Sequence, residues 1–248
     1  MLVFTNHMKY HSLHFSSISS TNSYLKENFE RLEDFTFVST DYQSSGKGRN
    51  DRQWIANEKE NLLFSLLIKS EEIVKEGSFI SLIAAVSVAQ ALEQYGLTDV
   101  QTKWPNDIYV NDKKIVGILL EGQVPNYLVI GVGINVNQKQ FVGEYRKTPT
   151  SMFLQLNKEI NIDKLKEDVY DTLFNNLAHY SSNKDLFLKY FKNHDYLLNK
   201  EVNYLFNNNI ASGIVKGIDE NFNIIIQSDN KEYHISSGEI ELLNKHHG

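Results

Sequence analysis

Apolar positions along this chain change their spacing several times, and each change marks an element. From Ser78 to Tyr95, Ala, Val, Leu and Ile recur on almost every side of a helical wheel, with Gly96 as a stop. That pattern predicts a well-buried helix. Ile162, Leu165, Val169, Leu173 and Leu177 recur at spacings of three and four, with Asp163 near the start, which predicts an amphipathic helix over 162–180. A second helix is expected over 185–194. A shorter one, Ser23–Phe29, follows Ser20-Thr21-Asn22, whose side-chain oxygens suit a helix N-terminus. Apolar runs predict strands over 36–39, 62–68, 100–103, 108–110, 114–121 and 127–137, and Met1–Ser19 makes a short strand at most. Gly143–Ser151 reads as a connection. From Glu201 the pattern shifts to short β-like segments between Asn, Asp and Gly turns: 202–206, 210–218, 223–227, 232–235 and 239–243. This predicts a small SH3-like β-barrel. The expected fold class is α+β: a mixed β-sheet domain packed with helices, residues 1–198, followed by the barrel, residues 199–248, with the boundary near Asn199.

Composition narrows the function. The chain has 248 residues, a formal net charge of −6 and no cysteine. An acidic balance argues against a surface devoted to nucleic acid. Without cysteine, disulfides and thiolate chemistry are excluded. No apolar run approaches the roughly 20 residues that span a bilayer. Met1–Tyr10 lacks a basic stretch leading into an apolar one, so no signal peptide is read there and the cytoplasm is the expected location. The eight His are scattered, without HExxH-type spacing, and no resident metal site is expected. His246-His247 is too short to read as a metal site or a tag.

Candidate chemistry concentrates in four places. Lys103-Trp104-Pro105-Asn106-Asp107 joins a cation, an indole, a rigid residue, an amide and a carboxylate at the start of a hairpin. Lys103 and Asp107 could form a structural ion pair, or Asp107 could help place Mg²⁺. Trp104 reads as core. The polar loop from Asp41 to Gln53 carries Gly46-Lys47-Gly48-Arg49 and then Arg52. Its glycines let backbone N–H groups approach an anion, and its cations could neutralise phosphate. It equally fits a solvated surface loop, and it lacks the spacing of a Walker A loop. Trp54 follows, fit either to stack on a base or to fill a core. Lys114 leads straight into an apolar run, where a cation needs an anionic partner. In Gly131-Val132-Gly133-Ile134-Asn135, two glycines weaken a strand and so point to close approach by a ligand or backbone; Asn135 could hydrogen-bond that ligand or close the strand.

In this fixed order, Ser20-Thr21-Asn22, Gln43, the Gly46–Arg49 loop with Arg52-Gln53-Trp54, Lys103–Asp107, Lys114 with Gly117, and Gly131–Asn135 closely resemble a biotin–protein ligase. Gly217-Ile218-Asp219 and Gly238-Glu239-Ile240 look like that family's C-terminal signature. The resemblance covers roughly residues 15–245. It implies that residues 1–198 are a catalytic biotin/ATP-binding domain and that biotin is activated as biotinyl-5′-AMP, with ATP and Mg²⁺ as the substrate complex. The biotinyl group then passes to a lysine of a biotin carboxyl carrier protein domain. By matching positions, Ser20, Thr21, Asn22, Gln43, Gly46, Lys47, Gly48, Arg49, Lys114, Gly117, Gly131 and Gly133 would lie at biotin. Arg49, Arg52, Trp54, Asn106, Lys114 and Asn135 would lie at ATP, with Lys114 and Arg49 as catalytic cations. The resemblance places no metal ligand in the chain. Members that dimerise do so through the central sheet, whose exposed edge could pair.

The loop departs from the family pattern GRGRxGR at two positions. Lys47 stands for an arginine, and Asp51 stands for a glycine, adding a negative charge and removing backbone freedom. The residues before Ser20 leave no room for the DNA-reading domain of the family's repressor members, so a ligase alone is expected. A lipoate–protein ligase or octanoyl transferase on a related fold is the competing enzyme. A non-enzymatic biotin or nucleotide sensor, such as a corepressor, is the competing binding protein.

Overall fold

The computed structural model describes residues 10–50, 52–143, 145, 147–206, 209–236, 238 and 240–243. Residues 1–9, Asp51, Glu239 and His246-His247 lie outside the described residues.

Two sheets organise the chain. The first contains β1 (His11–Phe15), β2 (Thr36–Thr40), β3 (Asn61–Ile68), β4 (Val100–Lys103), β5 (Asp107–Val110), β6 (Lys113–Gln123) and β7 (Tyr127–Asn135), in the spatial order β1-β2-β3-β7-β6-β5-β4. β1 runs parallel to β2 and every other neighbouring pair is antiparallel, so the sheet is mixed. Its helices are α1 (Thr21–Asn28), α2 (Glu71–Val74), α3 (Phe79–Gln94), α4 (Met152–Leu156), α5 (Ile162–Ala178) and α6 (Tyr180–Asn193). The second sheet is antiparallel throughout: β8 (Glu201–Phe206), β9 (Asn209–Ile218), β10 (Ile224–Ser228), β11 (Lys231–Ile235) and β12 (Ile240–Leu242), ordered β11-β10-β9-β8-β12. The expected α+β class and the five C-terminal strands are both present. No helix among the described residues is long and apolar enough to cross a membrane.

The period of two assigns the faces of the large sheet. Phe37, Phe64, Ile130, Val132, Val116 and Ile118 share one face and join the main core with α3, α5 and α6. From Phe79 to Leu92 every residue except Gln90 is buried, because α3 lies between the sheet and other helices. Asn161 caps α5 by accepting from Lys164 N at 3.0 Å, which fixes the start of the amphipathic stripe. On the other face, Val38, Leu67 and Val129 pack under Leu25 of α1 in a small separate cluster. On the rest of that face, Asn22 lies over Gly131 and the Trp54 ring over Gly117 and Gly133.

α2 and α4 were not expected. Each is one turn long, too short for a helical period to register in the sequence. Ser151 caps α4 by accepting from Leu154 N at 3.1 Å.

The segment joining the two sheets carries a strained carboxyl. Asp195 Oδ1 accepts from Leu197 N at 2.9 Å, but Oδ2 is buried without a partner among the described residues. The residue is half-buried as a whole, and it is this inner oxygen that loses water. Burial pushes its pKa up to about 6, against the Leu197 N–H and the charge of Lys200, which pull it down. A raised carboxyl pKa means the fold binds the proton more tightly than the unfolded chain does. Stability therefore rises as pH falls from about 6 toward 4, and the full cost is present above pH 6. Asp195→Asn should raise stability at pH 7.5 by on the order of 1–3 kcal/mol. Its advantage should shrink toward pH 4 in urea titrations, and equal midpoints at pH 7.5 would contradict this reading.

Candidate active site

This glycine-bearing face lies beneath a cleft of about 490 Å³. Gly117 of β6 pairs directly with Gly133 of β7, and Leu119 with Gly131, so the glycines lie on one face. They are required by what sits on them. A Cβ at Gly131 would fall 2.2 Å from Asn22 Oδ1, and one at Gly133 would fall 2.5 Å from the Trp54 ring. The Trp54 ring lies flat across Gly117 and Gly133, and its Nε1 is buried with no hydrogen-bond partner among the described residues. Gly133→Ala should displace this ring at a cost of about 1–3 kcal/mol. Trp54 and Trp104 are the two tryptophans, so the move should shift the emission spectrum; unchanged emission would contradict the packing.

Lys114 reaches the cleft because of a bulge. Tyr109 pairs with Lys114 but Ile108 pairs with Val116, leaving Ile115 as an extra residue. Without the bulge, Lys114 and Gly117 would point to opposite faces; with it, Lys114 Nζ comes over the Trp54 ring at 5.7 Å. Nζ also pairs with Asp107 Oδ1 at 2.7 Å. The carboxylate considered above for Lys103 or for Mg²⁺ is thus engaged by Lys114, across the hairpin that the sequence predicts. Lys103 is buried, with its Nζ 5.7 Å from the Tyr109 ring centroid. Trp104 is core, 1% exposed, and its Nε1 donates to Phe222 O of the second sheet at 2.9 Å. Asn106 donates its amide to Ile118 O and accepts from Arg49 at 3.4 Å.

The cationic loop is a tight hairpin. Lys47 bridges to Gln53, Gly48 N donates to Arg52 O at 2.7 Å, and Trp54 N donates to Gly46 O at 3.0 Å. Gly46 is needed for close approach, since a Cβ there would lie 2.7 Å from Trp54 O. It faces a shallower recess behind the loop, while Lys47, Gly48, Arg49 and Arg52 line the cleft itself. Arg49 Nη2 donates to Gly238 O at 2.8 Å, so the loop is clasped to the second sheet, whose Ile240 and Glu241 also border the cleft.

Neutral groups line the opposite end. Ser20 caps α1, accepting from Ser23 N, and presents Thr21 and Asn22 to the cleft. Thr21 N donates to Gln43 Oε1 at 2.9 Å, and Thr21 Oγ1 lies 2.6 Å from Ser65 Oγ. Back at the Lys114 end, Asn135 is 4% exposed; it accepts from Asn61 at 3.0 Å and donates to Thr150 O at 2.9 Å, and Thr150 N donates to Lys114 O, so its amide holds that wall together as well as lining it.

Sequence reasoning missed Phe141, and Tyr145 and Lys147 of the segment read as a connection, all of which border the cleft. Phe141 and Tyr145 meet edge to face at 5.9 Å. Two aromatics and a lysine so close after the glycine strand were the available signal. Among the described residues, no group of three or more His, Cys, Asp or Glu is placed to hold a metal ion.

A narrow cleft with cations at one end and neutral amides and hydroxyls at the other is suited to an elongated ligand with one anionic end. Concave sites of this kind bind small molecules. The comparisons narrow the class. Residues 14–135 match the Biotin/lipoate A/B protein ligase family, and residues 197–243 match the Biotin protein ligase C terminal domain. The chain belongs to the biotin protein ligases of that family. It is 35% identical over 156 residues to the Bifunctional ligase/repressor BirA of Bacillus subtilis, covering 60% of this chain and 47% of that protein. It is 31% identical over 125 residues to the Biotin--[acetyl-CoA-carboxylase] ligase of Paracoccus denitrificans, covering 48% of this chain and 50% of that protein. The chain thus spans about half the length of these curated relatives. The structure of biotin protein ligase from Aquifex aeolicus in complex with biotin and ATP superposes with a TM-score of 0.84 at 27% identity, over 94% of this chain and 98% of that one.

Proposed function

We propose that this chain activates biotin with ATP and transfers the biotinyl group to a lysine of a biotin carboxyl carrier protein domain. The observation that carries the reading is the two-ended cleft: Lys114 and Arg49 at one end, Thr21, Asn22 and Gln43 at the other, with glycines between. Biotin has the same polarity, a neutral cyclic urea at one end and a carboxylate at the other.

Ser20, Thr21, Asn22 and Gln43 take the urea and the start of the side chain. Gly117, Gly131 and Gly133 let the Trp54 ring and Asn22 settle close against the sheet, which keeps the cleft above them deep enough for the ring system and the valeryl chain. Lys47, Gly48 and Arg49 close over the carboxylate, and Gly46 keeps the loop in its hairpin. Arg52, Trp54, Asn106 and Asn135 form the nucleotide side. In the first step a biotin carboxylate oxygen attacks the α-phosphorus of ATP. The bond to the bridging oxygen breaks and pyrophosphate leaves. Two anions must meet, so Lys114 and Arg49 supply preorganised positive charge where negative charge builds up. Mg²⁺ enters with ATP as part of the substrate. In the second step a neutral carrier lysine attacks the acyl carbon, AMP departs, and the amine proton passes to solvent.

We place the unit boundary at Asn199, so that residues 1–198 hold the catalytic cleft and residues 199–248 brace it through Gly238, Ile240 and Glu241. We take the cytoplasm as the compartment, where ATP is at hand. Besides the carrier domain, we take a second copy of this chain as a partner along the exposed edge strand β1. Biotin-dependent exchange of labelled pyrophosphate into ATP tests the activation step. Exchange with biotin and none with lipoate is the expected result; exchange with lipoate alone would overturn the reading in favour of a lipoate ligase.

A further inference from the structure

Glu121 lies on β6 beyond the cleft, in the recess behind the cationic loop, and has no role in the mechanism above. It is nevertheless the start of an unbroken hydrogen-bonded chain into the neutral end of the site. Its Oε2 accepts from Asn22 Nδ2 at 2.7 Å, and Lys26, one helical turn after Asn22, pairs with its other oxygen. Asn22 Oδ1 accepts from Ser65 Oγ, and Ser65 Oγ lies 2.6 Å from Thr21 Oγ1. Burial works against the Glu121 carboxylate, but the hydrogen bonds from Lys26 and Asn22 and the charges of Lys26 and Lys47 outweigh it, holding its pKa below the usual carboxylate range. It is therefore ionised at neutral pH.

A carboxylate can only accept, and that fixes every proton along the chain. The two ends of an Asn amide have nearly the same shape, so only its partners decide which end is which. With Glu121 accepting, the NH₂ of Asn22 must face it and Oδ1 must face Ser65. Ser65 has one proton, and Asn22 Oδ1 takes it. The short Ser65–Thr21 contact then needs the proton of Thr21. Gln43 Oε1, at a longer 3.1 Å from Thr21 Oγ1, is left to the Thr21 backbone N–H. Thr21 Oγ1 therefore meets a ligand as an acceptor, and Gln43 meets it through the donors of its Nε2.

We infer that Glu121 is a positioning residue that sets the polarity of the Asn22–Ser65–Thr21 chain, so that this end of the cleft selects a ligand group carrying N–H donors beside a carbonyl. A cyclic urea has that pattern and a dithiolane has none of it. The inference rests on the proposed biotin activation and adds its specificity device. Lys26 holds the carboxylate but does not set the chain's direction, since Glu121 accepts with or without it.

Steady-state pyrophosphate release, with biotin and ATP varied separately, tests this. Glu121→Gln can donate as well as accept, so it frees Asn22 to turn over. It should raise the biotin KM about tenfold or more, the scale of one mismatched buried hydrogen bond, and leave the ATP KM within about twofold. Lys26→Met should lower stability and leave the biotin KM near wild type. Asn22→Asp combined with Glu121→Gln restores an acceptor facing Ser65 and supplies a donor facing Asp, so it should recover biotin KM relative to Glu121→Gln alone. An unchanged biotin KM in Glu121→Gln, equal rises for biotin and ATP, or no recovery in the double variant would overturn the inference. A wild-type protein that releases no pyrophosphate with biotin would instead overturn the proposed function.

Discussion

Lys114→Ala should slow adenylate formation by about 10²–10³-fold, the loss expected when one preorganised group facing developing negative charge is removed. Its ammonium stands over the Trp54 ring, close to the glycine floor, where a carboxylate and an α-phosphate would meet. Losing it has a second consequence. The Asp107 side chain is only 18% exposed and would lose its 2.7 Å partner. A carboxylate that has lost a close cation beside the reacting phosphate repels it and also weakens the fold. Two variants separate these effects. Lys114→Ala combined with Asp107→Asn should regain stability, because the stranded charge is gone, but single-turnover pyrophosphate release should stay slow. If the double variant recovered the wild-type rate, Lys114 would be an ion-pair partner for Asp107 and nothing more.

Trp104→Ala should destabilise the protein by about 3–5 kcal/mol, the usual cost of emptying a large buried aromatic site. Trp104 ties the turn between β4 and β5 to the second sheet: its Nε1 donates to Phe222 O at 2.9 Å, and Phe222 in turn meets Phe191 of α6 edge to face at 5.2 Å. Truncation leaves a cavity and removes the partner of a buried carbonyl. Trp104→Phe keeps most of the volume and loses mainly the hydrogen bond, so it should cost about 1–3 kcal/mol. Urea midpoints for the two variants give the comparison, and a loss below about 1 kcal/mol for Trp104→Ala would contradict the tie. The segment between β11 and β12 supplies Gly238 O, which holds Arg49. A loosened interface should therefore weaken retention of the adenylate as well as stability.

Periodicity made the framework legible. The stripe from Leu165 to Leu177 and the all-round apolar run of α3 predicted both long helices to within a few residues, and the shift to short strands after Glu201 marked the second sheet. The glycines of β7 were legible as points of close approach, and Asn22 and Trp54 are what approach them. Three features were not legible, each for a physical reason. The bulge at Ile115 depends on the partner strand, and a continuous apolar run carries no mark of which residue is left unpaired. The pairing of Asp107 with Lys114 rather than with Lys103 alone follows from that bulge. Asn61, Ser65 and Glu121 act through residues far away in sequence, so no local pattern singles them out. Phe141 and Tyr145 were hidden because aromatics in a connection look like incidental packing until the cleft beside them is known.

The central claim is that one cleft both activates biotin and delivers it. The most direct measurement incubates the full chain with biotin, ATP, Mg²⁺ and a biotin carboxyl carrier domain, and follows the carrier by intact mass and peptide mapping. The account predicts a single biotinyl group on one lysine, dependent on ATP and nearly abolished by Lys114→Ala. An unmodified carrier despite bound biotin, or a lipoyl group accepted in place of biotin, would contradict it.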